Sequence, residues 1–273
     1  MLYRIIKRQA EIINKEIDKK GYIKSMKPQD NLLKTVDNWT DIERDLGGGQ
    51  GGELKKDKYG RKKFCALHSS AAICVNNFAL FKKHKDRLSF GKYKNFDKAA
   101  FEQRLSTKLK GTPPNLDFYL ENSNVTIGIE SKFTEHFEKR IEHTKENLCK
   151  YFMREELDYL PRLFDGLILH YMNCTNKMYL NVAQLIKHSI ALLNNKRNKK
   201  AVLVYIYWQP ENWIETDIFK QHRKEIDDFA NKIGKFIEFK HLSYCDLWQE
   251  YENCELLKDH VQLVRNRYSL VTI

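Results

Sequence analysis

The chain has 273 residues, and 48 Lys and Arg against 36 Asp and Glu give a formal net charge of +12. That length buries a core without disulfide or metal staples, and 42% apolar with 31% charged residues excludes wholesale disorder. The longest apolar run, residues 201–208, is too short to cross a bilayer.

Charges at Arg4, Lys7 and Arg8 argue against a secretory signal, and six scattered cysteines with no CxxC fit reduced thiols. A cytoplasmic protein with no membrane partner is the expectation. The charge is concentrated: residues 61–115 hold thirteen Lys and Arg against three Asp and Glu. Such a stretch attracts polyanions, nucleic acid first among them, or it is a solvated face that aids solubility.

In chain order, residues 2–20 carry Leu2, Ile5, Ile6, Ala10, Ile13 and Ile17 near helical spacing, with Gly21 as a stop. A glycine-rich loop follows over 46–54. It lacks the GK[ST] ending of a P-loop, which disfavours nucleotide hydrolysis. Ser69 or Ser70 caps a helix through Phe81, and another helix fits 97–109, stopped by Pro113 and Pro114. The pattern then turns to a hairpin, with strands over 116–120 and 125–133. Helices are expected over 134–152, 155–165, 181–194 and 214–233, and strands over 201–208 and 236–242. A helical pattern from Asp246 runs toward residue 273. Strands interleaved with helices in this way predict an α/β fold with a small mixed sheet.

Along the second hairpin strand, period two puts Ile127, Ile129, Ser131 and Phe133 on one face and Thr126, Gly128, Glu130 and Lys132 on the other. An acid and a base therefore end one face of an otherwise apolar strand. Buried charge is costly unless paired or metal-bound. If Asp117 comes alongside Glu130, two carboxylates converge in the oxygen-rich way that suits Mg2+. A surface ion-pair ladder is the plainer alternative. The spacings Cys65-x2-His68 and His170-x3-Cys174 lack the paired halves of a structural zinc site.

Asp117, twelve intervening residues, then Glu130-x-Lys132 resembles the PD-(D/E)xK nuclease superfamily, with Leu116 where the proline of the name would stand. More widely, Gly47 to Leu54, His68-Ser69-Ser70, Phe101-Glu102, Gly111 to Asp117 and Glu130 to Phe133 are similar to a group of bacterial restriction endonucleases of that superfamily. The resemblance covers about residues 45–245. It implies a restriction-endonuclease-like core over 61–273, with 1–60 as a helical N-terminal extension.

It also implies a phosphodiesterase. Asp117 and Glu130 would hold Mg2+ (or Mn2+ in its place) with the Ile129 carbonyl, and Lys132 would serve the attacking water. Glu102 matches an acid supplied by an early helix, and Gln184 a helix glutamine found downstream. The plainer alternatives are a helix pair of Glu102 with Lys98 and a solvated Gln184. Candidate contacts to nucleic acid, most simply double-stranded DNA, are Lys62, Lys63, His68, Lys83, Lys92, Lys94 and Asn115. Cleaving both strands would favour a homodimer. The rival readings are an inactive nucleic-acid-binding protein of the same fold and an RNA-processing or small-molecule metal hydrolase.

Overall fold

The computed structural model describes residues 1–48 and 52–270, so Gly49, Gln50 and Gly51 of the glycine-rich stretch lie outside the described residues. Five strands form the central sheet: β3 Lys98–Arg104, β4 Asn115–Glu121, β5 Val125–Lys132, β6 Lys200–Tyr207 and β7 Glu238–Ser243. They follow a separate ribbon of β1 Ser89–Phe90 and β2 Tyr93–Lys94. Spatial order equals chain order. The pairs β3/β4 and β4/β5 are antiparallel, and β5/β6 and β6/β7 are parallel. This is the mixed sheet expected of the α/β reading.

Strands covered on both faces need apolar side chains on both. Residues 201–207 of β6 are all buried, and β5 is buried from Val125 to Ser131. One face packs on helices α1 Leu2–Ile13, α2 Trp39–Gly48, α3 Ser70–Lys83, α8 Tyr244–Tyr251 and α9 Lys258–Tyr268. The other packs on α5 Leu163–Met172, α6 Val182–Asn195 and α7 Asp217–Ile233, which follow the short α4 Lys145–Leu148. At Gly128 a Cβ would stand 2.6 Å from Leu116 Cδ1 and 2.9 Å from Leu192 Cδ1, so glycine lets β4, β5 and α6 close together.

The N-terminal segment shares the first core through Ile5, Ile42 and Leu46. A buried polar knot also ties it down. Arg267 on α9 donates through Nε to Gln9 Oε1 (3.1 Å), through Nη1 to the Asn31 carbonyl (3.0 Å), and through Nη2 to Asn31 Oδ1. Asn76 adds bonds to Asn31 O (2.9 Å) and the Tyr268 hydroxyl (2.8 Å).

Several expectations need correction. The helix expected over 97–109 is strand β3, because Phe101 pairs with Phe118 across the sheet and pairing overrides the helix-forming residues around it. The helix at the start ends at Asn14, in the left-handed conformation (φ 50°), six residues short of Lys20. Over 134–152 there is α4 with 3-10 turns on either side, not one helix. The helix expected over 155–165 begins only after Pro161, as α5. Helix α2 lies in a polar stretch where none was expected. Ser69 is the cap of α3, its hydroxyl accepting the Ala72 N–H at 3.2 Å. Among the described residues no helix is long and apolar enough to cross a membrane.

Candidate active site

Alternation along β5 places Glu130 and Lys132 on one face, with Lys132 Nζ 2.6 Å from Glu130 Oε1. The pairing of Phe118 with Ile129 sets Asp117 opposite Glu130 one step on. The β4/β5 ladder ends there, and Asp117 Oδ2 accepts the Ser131 N–H at 2.7 Å. Side-chain alternation breaks at the same point: Leu116 joins the core on the α6 side, and Phe118 the core on the α3 side.

On the next strand, Phe101↔Phe118 and Gln103↔Leu116 bracket Glu102 opposite Asp117. Glu102 is turned out of the strand conformation at φ 49° and bonded by Asn115 Nδ2 at 2.9 Å. Glu102, Asp117 and Glu130 therefore stand in a row across three adjacent strands. Glu102 reaches the row from β3 rather than from a helix, which corrects the expected element but keeps the residue beside the other two.

Two further carboxylates enter from loops. Glu53 is near enough for its charge to act on Glu102, and the charge of Lys63 acts on both. Glu135 follows β5 in a tight turn and accepts the N–H groups of Phe133 (2.8 Å) and Thr134 (3.0 Å) and the Ser70 hydroxyl. Lys132 is thus set among Glu130, Glu135 and Asp117.

So much buried negative charge shows in the titration of the groups. Burial, then the charges of Glu53 and Glu130, push Glu102 up to about 7 despite the Asn115 bond. Burial and the neighbouring Glu130 hold Asp117 well above the usual carboxylate range, against the opposing pull of Lys132. Burial raises Glu53 as well. Glu135 goes the other way: burial would raise it, but Lys132 and its hydrogen bonds keep it ionised. Burial works against the charge on Lys132, and the Glu130, Glu135 and Asp117 carboxylates outweigh it, so its ammonium lies above the ordinary lysine range.

Under the row sits His188 of α6, with Nδ1 3.3 Å from Glu130 Oε2. Burial pushes its imidazole down to about 4, so it is neutral at pH 7. Neither Glu130 oxygen has a well-aligned hydrogen-bond donor despite the nearby Lys132 and His188. A buried carboxylate left in that state favours a cation. The donors are hard oxygens, which suits Mg2+, an ion that takes one or two carboxylates and keeps its waters. Among the described residues no three His, Cys, Asp or Glu side chains form a ready-made cage, as a closed zinc site would need.

The structure brings Asp117, Glu130, Lys132, Glu102 and Asn115 together. Ile129 immediately precedes Glu130 on β5 and pairs with Phe118, its side chain buried in the core. Gln184 is in the first turn of α6, its N–H bonded to Asn181 Oδ1, one turn before His188 on the same helix face. Sequence reasoning picked the glutamine; the side chain at Glu130 is His188, and the four-residue spacing was the available signal. Glu135 was missed too, although it follows Lys132 by three residues.

The basic candidates divide. Lys63 is at the site, with Lys62 beside it in sequence. His68 packs edge-on to Tyr22 (6.0 Å between centroids) and senses Glu135. Lys83 pairs with Asp37 at 2.5 Å, at the far end of α3, about 20 Å of helix from Ser70. Lys92 reaches Glu238 at 3.8 Å, and Lys94 is on the same ribbon. Glu238 is level with Val202, three residues (about 10 Å) down β6 from the level of Glu130. The structure therefore does not bring Lys83, Lys92 and Lys94 to the carboxylates.

No curated protein and no solved structure matches the chain. One family model does, described as Restriction Endonuclease associating with ARP, and it spans nearly the whole chain. Matched from residue 5 to residue 269, on a mixed α/β core with an acidic row across three of its strands, this chain belongs to that restriction-endonuclease-like family.

Proposed function

We propose that the chain is a Mg2+-dependent endonuclease of the PD-(D/E)xK type that hydrolyses phosphodiester bonds in DNA. The observation that carries the reading is the row Glu102, Asp117, Glu130 with Lys132 at 2.6 Å from Glu130. Asp117 and Glu130 are the residues to hold the ion, with the Ile129 carbonyl as a further oxygen. Bound there, Mg2+ supplies Lewis-acid stabilisation of phosphoryl oxygens and lowers the pKa of an adjacent water.

The chain's own groups do the rest. Lys132, held charged by three carboxylates, donates hydrogen bonds to the attacking water and to the oxygens on which negative charge develops. Glu135 fixes the Lys132 end of β5 by binding the two N–H groups that follow it. His188, neutral, sets the orientation of the Glu130 carboxylate from below. Glu102, near neutrality at physiological pH, is able to hold or release a proton at the edge of the row. Cutting both strands of a duplex favours two such sites and so a homodimer, and the family description names ARP as an associate.

The test is supercoiled plasmid with wild type and Lys132→Ala, in Mg2+, in Mn2+ and in EDTA. Nicking or linearisation by wild type in metal alone is the expected result. Cleavage that survives both chelation and the substitution removes the assigned site. Binding without cleavage in every metal transfers the protein to the inactive binding class, and cleavage confined to structured RNA makes it an RNA-processing enzyme.

A further inference from the structure

Residues 55–63 form a hairpin that the chemistry above does not use. Lys56 and Lys62 make an isolated antiparallel bridge, Asp57 N–H donates to the Arg61 carbonyl at 2.8 Å, and Gly60 N–H to the Asp57 carbonyl at 2.9 Å. Gly60 closes the turn at φ +77°, a conformation costly for any side chain. The Asp57 carboxylate folds back over the turn and accepts the N–H of Tyr59 (2.8 Å) and of Arg61 (2.9 Å), and it binds the Arg61 guanidinium at 3.1 and 3.2 Å. Such a turn has a fixed shape. Its roots are fixed as well: Phe64 N–H donates to the Glu53 carbonyl at 3.0 Å, Phe64 and Cys65 are fully buried, and the charges of Glu53 and Lys63 reach Glu102.

The tip is exposed and dense in cations. Tyr59 is 65% exposed, and three cations crowd its ring: Arg61 at 4.6 Å, Lys58 at 5.1 Å and Lys20 at 5.8 Å from the centroid. Lys55 and Lys56 are exposed alongside. Asp57, the one acid within residues 55–63, is already occupied by Arg61. Cations gathered on a rigid turn repel one another, and the self-repulsion is relieved by a polyanion.

We propose that this hairpin is a clamp for the nucleic-acid backbone beside the cleavage site. Its lysines take phosphates, and Tyr59 lies against a base or sugar of the same strand. The inference rests on the nuclease reading and adds to it the surface that holds the substrate. Nucleic acid is favoured over an anionic lipid surface because the charges at both roots reach Glu102 of the acidic row, and because one tyrosine is a poor membrane anchor but a sufficient stacking partner. Tyr59 is four residues from Lys63, so the tip lies at most about 14 Å from the root. That reach corresponds to about four base steps at roughly 3.4 Å each.

The test uses the full chain carrying Lys56→Ala, Lys58→Ala and Tyr59→Ala together, with Arg61 kept to preserve the turn. Affinity for a fluorescein-labelled 30-base-pair duplex is read by anisotropy in EDTA, from 50 to 200 mM salt. The clamp predicts at least about tenfold weaker binding and a log–log salt slope shallower by about 2, the loss of two phosphate contacts, at an unchanged melting temperature. Wild-type affinity and slope in the triple variant overturn it. So does a variant that keeps DNA affinity but loses binding to phosphatidylserine vesicles, which would make the hairpin a lipid contact. Hairpin-dependent DNA binding by a wild type that cleaves nothing in Mg2+ or Mn2+ leaves the clamp standing and removes the nuclease reading alone.

Discussion

Glu102→Gln separates the stability of this fold from its chemistry. Glu102 is pushed up to about 7 from an ordinary value of 4.5, by burial first and then by Glu53 and Glu130. A group whose folded pKa is raised contributes its stability fully below the unfolded value and loses it as pH rises through the folded one. A lift of that size corresponds to about 3 kcal/mol, and allowing for the residue's partial contact with water leaves about 2–3 kcal/mol. Glutamine keeps an oxygen for the Asn115 amide, now 2.9 Å from Glu102 Oε2, and carries no charge at any pH. Urea unfolding in EDTA should therefore give coincident curves near pH 4. The variant should gain steadily as pH rises from about 4.5 and end about 2–3 kcal/mol more stable at pH 8, while plasmid cleavage falls. A variant no more stable than wild type at pH 8, or one offset equally at all pH values, refutes the argument that these carboxylates are crowded and buried.

Two other substitutions test the frame around the row. Gly128→Ala drives a methyl against Leu116 and Leu192, whose ends lie 2.6–2.9 Å from it, and should cost about 1–3 kcal/mol in urea unfolding; adding Leu116→Val should recover part of the loss. Arg267→Met leaves Gln9 Oε1 and both Asn31 oxygens without the guanidinium, and a loss of about 3 kcal/mol in thermal unfolding is expected with the DNA affinity of the folded protein intact.

The strands that carry the site were readable because both signals coincide there. Period two along β5 separates Ile127 and Ile129 from Glu130 and Lys132, and the turn at Glu121–Asn124 sets Asp117 near them. Strand β3 was not readable: Ala99, Ala100, Glu102, Gln103 and Arg104 favour helix locally, and only Phe101 packing on Phe118 reveals the strand. Helix α2 buries just Ile42 and Leu46, too little apolar face to stand out beside a run of glycines. His188 and Glu135 owe their roles to long-range packing, which a spacing rule does not encode. Charge density along the chain did not tell that Lys83, Lys92 and Lys94 lie away from the carboxylates, since a count ignores which end of a helix or ribbon each lysine occupies.

The Arg267 knot bears on the order in which the protein comes into being. Gln9 and Asn31 leave the ribosome well before the guanidinium that satisfies them, which lies 258 and 236 positions later. Until that arginine emerges, the segment leading to Glu53 and the basic hairpin lacks its buried partner, and local helix formation in α1 supplies none. Packing of that segment is thereby deferred until α9 has been made, a contact of very high sequence separation closing what local structure cannot.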